Sequence, residues 1–168
     1  MLIDDFSRPD LTSALGTRWR AVSDQVMGGV SEVSVERRQI GQSDCLHLGG
    51  PVRLDNNGGF IQAALDLSPS EEVLDASAYA GLRITVRGNG EVYALHLRSA
   101  DINKPWQSYR ASFLAKEALQ TIDLPFADFA PHRLETALDV TRLRRVGLVA
   151  IGRAFQADLS LCGISFYR

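Results

Sequence analysis

The chain has 168 residues, 45% of them hydrophobic and 23% charged, with a formal net charge of −2 and a pI near 5.9. That length suits one domain, spanning residues 1–168, able to bury about 70% of the surface its unfolded form exposes. The near-balanced charge gives no electrostatic ground for binding nucleic acid, and no apolar run approaches the roughly eighteen residues that membrane insertion needs.

Met1–Phe6 carries no basic run followed by an apolar stretch, so a cytoplasmic location is expected. Within it, Asp4 and Asp5 beside a first strand offer oxygen ligands for a structural calcium ion, or simple charges at a sheet edge. No other cofactor is suggested. The segment Ser23-Asp24-Gln25-Val26-Met27-Gly28-Gly29-Val30-Ser31 sets paired glycines among a carboxylate and hydroxyls. Such a loop builds a site or turns the chain into a strand. Short alternating strands follow around Val33 and Val35, then around Leu46 and Leu48. Cys45 and Cys162 are too few for a disulfide framework and are expected to pack as small apolar residues in a reducing or indifferent compartment.

A second glycine turn, Leu54-Asp55-Asn56-Asn57-Gly58-Gly59-Phe60, enters a strand through Ile61, Ala63, Leu65 and Leu67 and is read as a tight hairpin bend or as a partner of the first glycine loop. A turn or two of helix is expected around Ser70 to Leu74. Between Leu82 and Arg98, alternating residues flank Asn89-Gly90, a dipeptide suited to a two-residue type I′ hairpin. That hairpin pairs Val86 with Tyr93, Ile84 with Leu95 and Leu82 with Leu97 on an apolar face, and gathers Arg83, Arg87, His96 and Arg98 on the other. Lys104-Pro105-Trp106-Gln107-Ser108-Tyr109-Arg110 places Trp106 and Tyr109 on opposite faces, with Tyr109 assigned to the core. Ile122 and Leu124 mark another strand, and Asp139 is an N-cap for a short helical stretch to Arg145. Val146–Ile151, apolar on both faces, is a central strand. The change of phase from Leu159 and Leu161 to Ile164 and Phe166 calls for a bulge at Cys162-Gly163. Some ten short strands without crossover helices specify an all-β, two-sheet antiparallel β-sandwich of jelly-roll type.

No catalytic constellation is visible. There is no phosphate loop, nucleophile elbow or short-spaced metal pair, and His47, His96 and His132 are scattered. Taken in order, Asp24–Ser31, Asn57-Gly58-Gly59-Phe60, Arg87-Gly88-Asn89-Gly90 with Tyr93, Pro105–Tyr109 and Ile164-Ser165-Phe166-Tyr167 resemble the complex I intermediate-associated protein 30 family. The resemblance implies a galactose-binding-like sandwich and an assembly-factor or chaperone role toward NADH:ubiquinone oxidoreductase.

Two functions are therefore expected. In one, a protein partner such as a respiratory-chain subunit is held by the basic face and the rim residue Trp106. In the other, a glycan or small molecule lies on a concave sheet face. The expected binding residues are Asp24, Met27, Gly28, Gly29, Ser31, Asn57, Gly59, Arg87, His96, Arg98, Trp106 and Gln107.

Overall fold

The computed structural model describes residues Met1–Arg168. In chain order the strands are β1 (Leu2–Asp4), β2 (Arg20–Ser23), β3 (Ser34–Ile40), β4 (Ser43–Val52), β5 (Phe60–Asp66), β6 (Gly81–Arg87), β7 (Val92–Ser99), β8 (Ser108–Leu114), β9 (Gln120–Pro125), β10 (Ala130–His132), β11 (Leu143–Ile151) and β12 (Phe155–Tyr167). They form two antiparallel sheets. The first has the order β3-β4-β12-β6-β9, with β1 beside the end of β12; the second runs β10-β8-β7-β11-β5-β2.

Period-two alternation decides what lies between them. From the first sheet Leu46, Leu48, Leu82, Ile84, Val86, Leu159, Leu161, Ile164 and Phe166 point inward; from the second come Ile61, Leu65, Tyr93, Leu95, Leu97, Tyr109, Phe113, Val146 and Leu148. Tyr109 is wholly buried, and its hydroxyl donates to the Thr136 carbonyl at 2.8 Å. β11 sits between β7 and β5, which accounts for its apolar residues on both faces. Along β12 the pairing with β6 slips between Leu161 and Gly163, the bulge that restores Ile164 and Phe166 to the core.

Three expectations are corrected. β6 and β7 do not form a hairpin: β6 pairs with β12 and β9, while β7 pairs with β11 and β8. The Gly88–Gly90 segment crosses from one sheet to the other, held where Gly88 N–H donates to Lys116 O and Gly90 N–H to Ala115 O, each at 2.8 Å. Alternation shows which face is buried but not which strand lies alongside, and two strands facing one core from opposite sheets satisfy it equally well. Second, Cys45 and Cys162 form a disulfide between β4 and β12. The register that sets Leu46 opposite Leu161 brings the preceding Cys45 against the bulged Cys162, a juxtaposition hidden by 117 residues of sequence. Third, no helical turn forms at 70–74, where Leu74 makes a single bridge to Leu143. Asp139 does cap a turn, over Val140–Arg142, accepting from Thr141 N–H at 3.0 Å.

The N-terminal carboxylates have internal partners. Asp4 is buried and accepts from Phe6 N–H at 2.9 Å and Trp19 Nε1–H at 2.8 Å, while Asp5 accepts from Ser7. Burial outweighs those hydrogen bonds and raises the Asp4 carboxyl above its usual range. Asp4 is thus part of the core and not an edge charge.

Candidate functional site

The two glycine-rich loops meet at one end of the second sheet, and Asp24 joins them. Its carboxylate, fully buried, accepts from Ser31 N–H at 2.9 Å, Gly59 N–H at 2.6 Å, Phe60 N–H at 3.2 Å and the Ser31 hydroxyl. The glycines make that packing possible: a Cβ on Gly29 or on Gly58 would lie 2.5 Å from the Asp24 carboxyl. Gly28 ends the short turn Asp24–Met27 at φ 87°, where a side chain would be strained. Asn56 Nδ2–H donates across to Gly28 O at 3.2 Å, and Gln25 Nε2–H to Ser31 O at 3.0 Å. Burial raises the Asp24 pKa, but the hydrogen bonds from Ser31, Gly59 and Phe60 prevail and hold it below the usual carboxylate range. Around this knot Val26, Met27, Val30 and Leu54 are exposed, Val26 at 74% and Met27 at 56%.

The outer face of the second sheet runs away from the knot. Register and alternation define it row by row. Nearest the loops lie the pairs Phe60–Ile151 and Val92–Leu114; Val92 and Leu114 are 45% and 47% exposed. The next row is Val22, Gln62, Val149, Ala94 and Ser112, and the one after it Arg20, Ala64, Gly147, His96 and Arg110. Asp66, Arg145, Arg98, Ser108 and His132 complete the face. Gln62 reclines over Gly147, whose Cβ would strike its Oε1 at 2.3 Å. The face is apolar at the glycine loops and cationic at the other end, with small residues along its middle.

At that cationic end Arg98 Nη1–H donates to the carbonyls of Lys104, Pro105 and Gln107, and Gln107 Nε2–H donates to Arg133 O. These contacts fix the loop that carries Trp106, which is 51% exposed with the Lys104 ammonium 5.6 Å from its ring centroid. Asp66 serves both Arg20 and Arg145. Burial first, then Arg110 and His132, lowers the His96 pKa to about 3, so the imidazole is neutral at physiological pH.

The model of one protein family, complex I intermediate-associated protein 30, matches residues 5–161. The chain belongs to this family. No curated protein sequence matches it. Among solved structures, this family member resembles the family 11 carbohydrate-binding module of a cellulosomal cellulase of Clostridium thermocellum. The TM-score is 0.77 at 13% identity over 99% of this chain and 93% of that one. The family 11 module from the same organism in complex with a β-1,3-1,4-mixed-linked tetrasaccharide gives a TM-score of 0.75 at 13% identity, covering 99% and 94%. A family 30 carbohydrate-binding module of a cellulosomal cellulase of C. thermocellum gives 0.68 at 12%, covering 98% and 97%. At such identities the likeness is one of fold: a jelly-roll sandwich.

Across the complex I intermediate-associated protein 30 domain the expected binding residues divide into three places. Asp24, Gly28, Gly29, Ser31 and Gly59 belong to the knot between the loops, with Met27 projecting from it and Asn57 exposed in the second loop. His96, Arg98, Gln107 and Trp106 lie on or beside the cationic end, His96 and Arg98 being four and six residues along β7 from Val92, about 13 and 20 Å at the rise of a strand. Arg87 and Arg83 stand on the opposite side of the sandwich: Arg87 Nε–H donates to Glu117 O, and Arg83 is held by Asp123 at 2.7 Å. The basic face expected of a hairpin is therefore split between the two outer surfaces. The apolar row of Phe60, Ile151, Val92 and Leu114, and the cluster of Arg110, His132 and Arg145, are not visible as groups in the sequence. Only the true strand order brings them together.

His96 predicts a pH effect. The unfolded chain protonates this imidazole below about 6.5, while the fold keeps it neutral down to about 3. Its contribution to stability is whole above pH 6.5 and is lost as pH falls toward 3, at up to about 1.4 kcal/mol per pH unit. Denaturant melts of the wild type are expected to weaken from pH 6.5 to about 5. His96→Gln should flatten much of that slope, and an unchanged slope would contradict the assignment.

Proposed function

We propose that this protein is a non-catalytic binding protein that holds a protein client during assembly of respiratory complex I or a related complex, using the outer face of its second sheet. One observation carries the reading: Val92 and Leu114, paired and about half exposed on the outer face, lie with Phe60 and Ile151 at the end of the sheet where the loops fastened by the Asp24 knot expose Val26, Met27 and Leu54. Apolar side chains displayed on a fixed frame, with cations farther along the same face, are the composition of a protein-binding surface. The family's association with complex I intermediates supports the identity of the client.

Leu114→Asp replaces a side chain about half exposed at the end of β8, so the variant should stay folded and lose no more than about 1–2 kcal/mol. Co-purification of complex I subunits from the native cells should nevertheless be lost. Retained subunits would contradict the proposal. A glycan or small-molecule ligand is the second reading, favoured by exposed Trp106 at the rim and by a fold shared with carbohydrate-binding modules. A glycan array that responds to the wild type but not to Trp106→Ala would select it. Arg98→Glu is not a suitable test of either reading, because it releases the carbonyls of the Trp106 loop.

A further inference from the structure

Most arginines lying against the sheets of this molecule have an acidic partner. Arg20 and Arg145 share Asp66, Arg83 has Asp123, Arg142 has Asp101 and Arg153 has Glu91. Arg87 and Arg98 donate to backbone carbonyls instead, whereas Arg110 has neither kind of partner. It is half-buried on the outer face of β8, its Nε–H donates to Ser108 Oγ at 2.8 Å, and no carboxylate pairs with it. Directly across the ladder on β7 stands His96, whose Nε2 is buried without a hydrogen-bond partner. From the other flank β10 contributes His132, opposite Ser108, followed by Arg133. The two guanidinium charges act on each other and on the imidazole: burial and then Arg133 lower the Arg110 pKa, while burial followed by Arg110 and Arg133 lowers that of His132. The carboxylate on this face, Asp66, lies at the far side of Gly147 and is already engaged by two guanidinium groups. Uncompensated charge and unmet hydrogen-bonding capacity thus coincide at one place, where buried polar groups are ordinarily partnered.

We infer that His96, Arg110 and His132 form a docking point for an aspartate or glutamate side chain of the client polypeptide, whose apolar residues lie farther along β7 and β8 on Val92 and Leu114. The inference rests on the protein-binding reading above and specifies the chemistry of the client. A carboxylate matches the guanidinium fork and accepts an imidazole N–H as well. Phosphate or a sugar acid shares the first property, so the apolar continuation decides between them. Arg110 and Leu114 are four residues apart on one face of β8, about 13 Å at the rise of a strand. An extended segment with an acidic residue and a large apolar residue four positions apart spans both. The floor between them, Ala94 and Ser112 on neighbouring strands, leaves room for a backbone to approach.

The test uses the full-length protein, labelled with ¹⁵N, and two synthetic dodecapeptides. One carries two glutamates followed four residues later by two leucines; the other has glutamine at both acidic positions. The glutamate peptide should give saturable shifts along β7, β8 and the His96 and His132 imidazoles, with roughly tenfold tighter binding than the glutamine peptide. Arg110→Ala, which keeps a dispersed spectrum because its side chain faces outward, should erase that preference. Arg110→Lys should keep part of it. Equal binding of the two peptides, a preference that survives Arg110→Ala, or displacement by inorganic phosphate or glucuronate at the same concentration would overturn the inference. If neither peptide binds while Leu114→Asp still abolishes co-purification of complex I subunits, the acidic docking point fails and the protein-binding face stands.

Discussion

Replacing Asp24 by alanine is expected to cost about 4 kcal/mol or more, lowering the melting temperature by about 8–16 °C in a chain of this size. The cause is local and countable. Without the carboxylate, the N–H groups of Ser31, Gly59 and Phe60 and the Ser31 hydroxyl lose their acceptor. Two of those amides, at Ser31 and Gly59, belong to buried residues. Each buried donor left unpaired costs about 1–3 kcal/mol. Asp24→Asn keeps the shape but substitutes an amide, which has one acceptor oxygen and places N–H groups toward the donors on the other side; most of the loss should remain. Differential scanning calorimetry decides the matter, and a melting temperature within about 2 °C of the wild type would show that the two loops are not fastened through Asp24. Gly29→Ala and Gly58→Ala should destabilise through the same carboxylate, since either methyl would occupy its space.

The second large effect concerns Cys45 and Cys162. Protein purified without reductant should contain no titratable thiol in denaturant, and reduction or Cys162→Ser should remove about 2–4 kcal/mol of stability. The bridge joins β4 to β12, two strands that already pair from Phe155 to Leu161, so native structure should survive reduction at moderate temperature and melt earlier. Thiol trapping in intact cells extends the test. A pair found oxidised in the cell would place the protein in an oxidising compartment, against the expectation of a reducing or indifferent one. Two free thiols in purified, unreduced protein would contradict the bridge itself.

Much of the architecture was legible in the residues, and the reason is alternation. Leu82, Ile84 and Val86, or Tyr93, Leu95 and Leu97, announce a buried face whatever their neighbours. The same pattern is silent about adjacency: it allows an Asn89-Gly90 hairpin where the chain changes sheets, and puts Arg83, Arg87, His96 and Arg98 on one surface when they occupy two. The bulge at Cys162-Gly163 was readable as a break in phase, but the disulfide beside it was not, because strand order alone brings Cys45 within reach. The signature segments were legible as a unit and are now explained physically. Asp24–Ser31 and Asn57–Phe60 are two halves of one hydrogen-bonded knot, Arg87–Gly90 crosses between sheets, and Pro105–Gln107 is gripped by Arg98. A family can keep such residues for the frame that presents a surface, while the surface itself, Leu114 and Arg110 among it, carries no motif.

The account stands on the claim that the outer face of the second sheet is where a client is held. Its most direct test is a photo-crosslinking amino acid placed at position 114 in living cells, with the same probe at position 83 on the opposite surface as the control. The account predicts that the probe at 114 captures an identifiable complex I subunit and that the probe at 83 does not. Equal capture from both positions, or none at 114 while complex I is being assembled, would contradict it.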